Sequence, residues 1–191
     1  GRLKVRAPML SRIANFDDFD PLVAEPEVDF AFVPPGQVIP DCDLIILPGT
    51  KATLADLRWL REQGLDGWIM RQHLRGARIV GICGGYQMLG RRIEDPHGVE
   101  SDERGAPGLG LLPVETVMAA DKKTRTVMAT LGRGIRFRAY EIHLGETRAV
   151  GNVEPFAWVE GHPEGARLRN VIGTYLHGAL EDHRPHARSF R

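Results

Sequence analysis

Apolar residues in this chain fall in short runs separated by glycine, proline and charged positions, and the runs follow two periods. Residues 3–7 alternate weakly and predict a first strand, which Pro8 interrupts. Residues 28–33 predict a second strand, closed by Pro34-Pro35-Gly36, and residues 43–47 a third, ending in Pro48-Gly49-Thr50. The third is apolar without alternation, as expected for a strand buried on both faces of a parallel sheet. Leu54, Leu57 and Leu60 then share one face of a helix predicted over 53–63, and a second helix is predicted over 67–74. A fourth apolar run, Ile79, Val80 and Ile82, stops at Cys83, and Tyr86-Gln87-Met88-Leu89 opens another helix. Further on, residues 109–118 return to strand character, and 126–131 with 137–142 predict a hairpin around Gly132-Arg133-Gly134. The last strand runs over 171–178 through His177. Strand–helix alternation of this kind predicts an α/β fold: an open, largely parallel sheet flanked by helices, with an added β-hairpin region. Three stretches are expected to be connections. Asn15 would cap a short helical turn bearing Phe16, Phe19 and Leu22, residues 94–108 would be a solvated loop, and Asp121-Lys122-Lys123 a turn.

Length and composition add little to that picture but exclude several classes. At 191 residues the chain fits one domain with a core of its own. Lys and Arg number 25, as do Asp and Glu, so nothing favours nucleic acid or an anionic membrane as a partner. The two cysteines, Cys42 and Cys83, form no disulfide framework, which fits a reducing, cytoplasmic location. No run has the length of a membrane span, and the start at Gly1 carries no signal-peptide pattern and reads as an excised segment. Neither Cys nor His spacing suggests a metal site, and no phosphate-binding glycine loop is present.

Chemistry concentrates where predicted strands end. Strand, cysteine, Gly84-Gly85 and helix together have the layout of a nucleophile elbow with a thiol in place of a hydroxyl. The thiolate would face a helix N-terminus, which lowers a cysteine pKa. Gly49 stands at the end of a second strand, so backbone N–H groups of the Gly49 loop and of Gly84 could converge as an oxyanion hole. A cysteine nucleophile needs a base distant in sequence. His177, at the end of a third strand, is placed for that role. His162-Pro163-Glu164 is a rival base-and-orienter pair, but it lies in a polar loop with no strand to aim it, and His177 is preferred. Tyr140-Glu141-Ile142-His143 could line a pocket, or His143 could be solvated.

These blocks resemble the class I (triad-type) glutamine amidotransferase domain, of the branch found in cobyric acid synthase. The likeness lies in residues 82–90 around Cys83, in Leu47-Pro48-Gly49-Thr50-Lys51, in 140–145, in 173–178 and in the early 12–22 segment. It implies a flavodoxin-like fold in which Cys83 is the nucleophile and His177 its base. Gly49 and Gly84 would form the oxyanion hole, and Gln87 with Tyr140, Glu141, Ile142 and His143 would hold glutamine. The resemblance implies ammonia release for amidation of adenosylcobyrinic acid a,c-diamide in cobalamin synthesis. No cofactor is expected in this domain. ATP, Mg and the corrinoid would belong to a covalently linked, N-terminal ATP-dependent synthetase domain absent from residues 1–191. A cobyrinate a,c-diamide synthase, a cell-wall amidating enzyme and a non-catalytic interaction module of the same fold are the alternatives. Ala179 stands two residues after His177, where the wider family carries the triad Glu, so what orients the imidazole is open.

Overall fold

The computed structural model describes residues 1–14, 19–36 and 39–178. In chain order its elements are β1 (Leu3–Pro8), α1 (Asp20–Ala24), β2 (Val28–Val33), β3 (Leu44–Leu47), α2 (Thr53–Glu62), α3 (Leu65–Leu74), β4 (Arg78–Ile82) and α4 (Gly84–Leu89). There follow β5 (Arg92–Glu94), β6 (Gly105–Pro107), β7 (Val114–Thr130), β8 (Arg136–Ala149), β9 (Ala157–Val159), β10 (His162–Glu164), β11 (Ala166–Leu168), β12 (Val171–Thr174) and β13 (Leu176–His177). Strands β1 to β4 and α2 to α4 fall where the apolar runs predict them. The cap expected at Asn15 lies outside the described residues.

A six-stranded sheet in the order β11-β12-β4-β3-β1-β2 forms the centre, parallel except where β11 runs against β12. All four residues of β3 are buried, and successive side chains go to opposite layers. Ile45 and Leu47 join Ile79, Leu54, Leu57, Leu60, Met88 and Leu89 in a core beneath the helices. Leu44 and Ile46 join Val5, Val80 and Ile82 in a second core on the other face. That face is covered mainly by a second sheet, with Phe19 and Leu22 at the short helix α1 packed at its margin. Val127, Ala129, Phe137, Ala139, Ala157, Val159 and Leu176 supply the second sheet's apolar side.

The expected hairpin around residues 132–134 is present, and it is the spine of a larger seven-stranded, mainly antiparallel sheet. Strands β7 and β8 pair from Thr130↔Arg136 to Val114↔Ala149, with a register shift between Val117 and Lys122. Asp121-Lys122-Lys123 therefore lies within a strand, because its exposed polar side chains cost nothing on a sheet edge that continues past the core. The 94–108 stretch is likewise more than a solvated connection. Asp95 is fully buried and accepts backbone N–H bonds from Val99, Glu100 and Ser101. Burial alone would push its carboxyl up, but those three bonds outweigh it and hold the pKa below the usual range.

Two features of the fold carry measurable consequences. A Cβ on Gly85 would sit 2.1 Å from the Leu47 carbonyl oxygen, a backbone atom that cannot swing aside. Gly85→Ala is expected to cost about 3 kcal/mol or more in urea unfolding. Gly132→Ala, which meets nothing within 4 Å, serves as the comparison and should change stability by less than about 0.5 kcal/mol. Burial also pushes the Glu164 carboxyl up to about 7, only partly offset by bonds from Tyr175 and Thr174. A carboxyl raised in the folded state binds its proton there before it does in the unfolded chain. Its contribution to stability is thus complete below about pH 4.5 and lost as pH rises through about 7. Glu164→Gln removes this dependence. The variant should gain stability relative to the wild type between pH 5 and pH 8, on the order of 1 kcal/mol or more; an offset independent of pH would contradict the shift.

Candidate active site

Strand β4 ends at Cys83, whose backbone takes φ 52°, ψ −110°. A non-glycine residue there stores about 1–3 kcal/mol of strain, and its side chain is thrown clear of the sheet edge. The elbow is locked from both sides. The Cys83 N–H donates to the Thr174 carbonyl of the neighbouring strand end (2.8 Å), and Gln87 N–H donates to the Cys83 carbonyl (3.0 Å) at the start of α4. That helix spans only six residues, so its dipole contributes little beside a neighbouring imidazole.

The imidazole is that of His177. Its Nε2 lies 2.6 Å from Cys83 Sγ, and the ring is buried at 5 % exposure. The Ile142 carbonyl oxygen is 2.9 Å from the same sulfur, on the opposite wall. Residues 94 apart in sequence thus meet because β12 lies beside β4 in parallel register, Thr174 against Ile82, and β13 follows at once. Cys42 is the contrast: it is buried, and burial pushes its thiol up to about 11, out of reach of neutral-pH chemistry.

Gly49 closes a third side. A Cβ built there would stand 3.6 Å from His177 Cε1 and 3.7 Å from Cys83 Cβ, so any longer side chain would enter the space between them. The loop bearing Gly49 and Thr50 is pinned to the 11–14 segment. Ala14 N–H donates to the Gly49 carbonyl, and Lys51 N–H donates to that of Arg12. Beneath it, the fully buried Asp56 of α2 accepts from the hydroxyls of Ser11 and Thr50. Gly84 lies so close to Thr50 and Thr53 that a Cβ would clash at 2.5 Å.

A cleft of about 300 Å³ opens onto Cys83, walled by Ala14, Thr50, Gly84, Ile142, Leu144 and Tyr175, with Lys51, Glu100 and Lys122 also lining it. Of the residues expected to hold glutamine, Ile142 lines this cleft and Tyr140 does not: paired with His177 across β8 and β13, its side chain is 57 % exposed. Glu141 turns into a separate cavity and ion-pairs with Arg125. Alternation along β8 sends its side chains to different places, so the four-residue block is not one binding surface. The side chain of His143 lies outside the described residues. Gln87 is buried at the cleft wall with its amide already engaged. Its Oε1 accepts from Thr53, and its Nε2 donates to the Leu144 carbonyl and the Tyr175 hydroxyl. Gln87 is therefore part of the wall's frame.

The rival pair divides too. Both residues lie on strand β10 rather than in a loop, but His162 is exposed, whereas Glu164 is buried and bonded to Thr174 and Tyr175. Several site residues carry no local signature. Asp56 occupies an ordinary helix position, and Glu100 and Lys122 sit in stretches whose composition signals solvent. Glu100 accepts from the Thr53 N–H at 2.7 Å, and burial raises its pKa despite that bond. Among the described residues no group of three or more His, Cys, Asp and Glu side chains could hold a metal, and no helix is long and apolar enough to cross a membrane.

Residues 4–185 match the model of the CobB/CobQ-like glutamine amidotransferase domain. A cobyric acid synthase of Caulobacter sp. is 53 % identical over 185 residues, covering 94 % of this chain and 38 % of that protein. Another, of Rhodobacter capsulatus, is 54 % identical over 173 residues, covering 88 % and 36 %. The chain thus spans well under half the length of these relatives. Among solved structures, PurLQS from Thermotoga maritima matches with a TM-score of 0.74 at 17 % identity, over 100 % of this chain and 98 % of that one, a likeness of fold. On the family match and the identity to these relatives, the chain belongs to the CobB/CobQ-like family of glutamine amidotransferase domains.

Proposed function

We propose that Cys83 and His177 hydrolyse the side-chain amide of glutamine, and that the ammonia serves an ATP-dependent amidation carried out by another part of a longer protein. The observation that carries this reading is the 2.6 Å approach of Cys83 Sγ to His177 Nε2 on a strained strand end facing a cleft. His177 takes the thiol proton as Sγ attacks the amide carbon. Negative charge grows on the amide oxygen, where the Gly84 N–H and the Gly49 loop would donate to it. As the tetrahedral adduct collapses, His177 returns the proton to the leaving nitrogen, releasing ammonia and leaving a thioester. A water molecule, deprotonated by His177, then attacks the thioester, and glutamate leaves as the thiol re-forms.

Glutamine arrives with an ammonium and a carboxylate at its far end. Glu100 and Lys122, of opposite sign and both lining the cleft, suit those two groups. The acceptor is proposed from the relatives' name and from the resemblance of residues 12–22: carboxylates of a corrinoid, amidated in cobalamin synthesis.

Glutamate release from glutamine by the full-length protein, with ATP and the corrinoid a,c-diamide present, tests the chemistry. Cys83→Ala should abolish it, and His177→Ala should lower kcat by roughly 10²–10⁴-fold; normal turnover by Cys83→Ala would overturn the reading. Recognition of the zwitterion is tested separately. Glu100→Gln and Lys122→Ala should raise KM for glutamine by about 10-fold with kcat little changed, the signature of lost ground-state binding. An unchanged KM in both would remove them from the substrate site.

A further inference from the structure

We propose that Glu164 is a positioning residue for His177, its carboxylate clamping the 174–176 turn from which the imidazole is presented. The proposal rests on the Cys83–His177 reading above. At this turn the chain leaves the parallel sheet at Thr174 and enters the second sheet at Leu176, with Tyr175 alone between β12 and β13. A one-residue change of sheet has no ladder of its own, so its polar groups must be held by side chains.

Glu164 supplies that hold. Its Oε1 accepts the Tyr175 N–H at 2.7 Å, and its Oε2 accepts the Thr174 hydroxyl at 2.8 Å. That hydroxyl oxygen in turn accepts the Leu176 N–H at 3.0 Å. Three successive residues before His177 are thus tied to one carboxylate, directly or through one hydroxyl. The opposite side of the turn is tied to the nucleophile's surroundings. The Thr174 carbonyl accepts the Cys83 N–H, the Tyr175 carbonyl accepts the Ile142 N–H, and the Tyr175 hydroxyl bonds to Gln87 and Thr147. Freed from Glu164, the turn would keep its backbone anchor to Cys83 at one end and the pairing of β13 with β8 at the other, while the link between them loses the clamp that sets their relative position. An ångström of drift is enough to spoil proton transfer at a 2.6 Å contact.

Location adds to the case. Glu164 is 9 % exposed, on the wall of a cavity of about 590 Å³ behind the turn, where burial favours its neutral form. The ionisable groups sharing that wall are Glu141 and Glu146 of β8, Arg125 of β7, His162 of β10 and the phenols of Tyr86 and Tyr175. Arg125 is paired to Glu141, and Glu141 raises the Glu164 pKa further. A buried carboxylate is expensive, and here its return is two hydrogen bonds into the segment that ends in the base.

Alkylation of Cys83 by iodoacetamide, followed across pH on the full-length protein and read on the Cys83 peptide by mass spectrometry, tests the proposal. His177→Ala should move the profile toward that of an ordinary thiol, near about 8.5. Glu164→Ala should move it the same way and reduce glutamate release by about 10²-fold. Glu164→Gln, which keeps one acceptor oxygen, should fall between Ala and wild type and serves as the test if the Ala variant does not fold. In the His177→Ala background, either Glu164 substitution should add nothing. A wild-type profile in the Glu164 variants, or an effect that persists undiminished without His177, overturns the positioning role. A profile unmoved by His177→Ala overturns the Cys83–His177 pair itself, a separate result.

Discussion

Everything in this molecule that bears on chemistry depends on one contact, the approach of a thiol to an imidazole across two neighbouring strand ends. Neither residue is local to the other, and no side-chain flexibility could compensate for a slipped register. Cys83 is held by a backbone bond to Thr174, three residues before His177, so the two partners share an anchor rather than being placed independently. Shifting β12 by one residue against β4 would exchange the faces of its side chains and break that bond.

The second sheet explains why the contact is durable. In an open parallel sheet both faces need cover, and here α2, α3 and α4 cover one while only the short α1 reaches the other. Strands β7, β8 and β9 bury the other face, and their edge receives β13, which carries the imidazole. The same strand β8 brings the Ile142 carbonyl to the sulfur. Covering the core and completing the site are one structural event, so damage to the packing of Phe137, Ala139 or Leu176 would reach the base.

Around the contact lies a set of buried polar groups, each paid for by specific partners. Asp56 fixes the Thr50 loop, Gln87 links α4 to α2 and to Tyr175, Asp95 folds the 95–101 loop that delivers Glu100, and Glu164 grips the turn before His177. Low polarity makes such groups costly when unpaired and rigid when paired. This site is therefore stiff where atoms must meet within tenths of an ångström and open only along the cleft.

The sequence by itself determined the parallel strands, the helices beside them, the cysteine at one strand end and the histidine at another. Those features are written locally: apolar runs of fixed length, glycines where backbones touch at Gly85, and a reactive side chain at each break. Tertiary structure alone decided the rest. Lys122 and Lys123 extend rather than turn because a partner strand continues beside them. Tyr140 faces solvent and Glu141 a second cavity, because pairing of β8 with β13 sets which side chains point where. Asp56, Glu100 and Lys122 are indistinguishable in sequence from surface charges, and Glu164 stands out there only as a partner for His162. What buries or aims them is the approach of a segment from elsewhere in the chain, and composition over a short window holds no information about that approach.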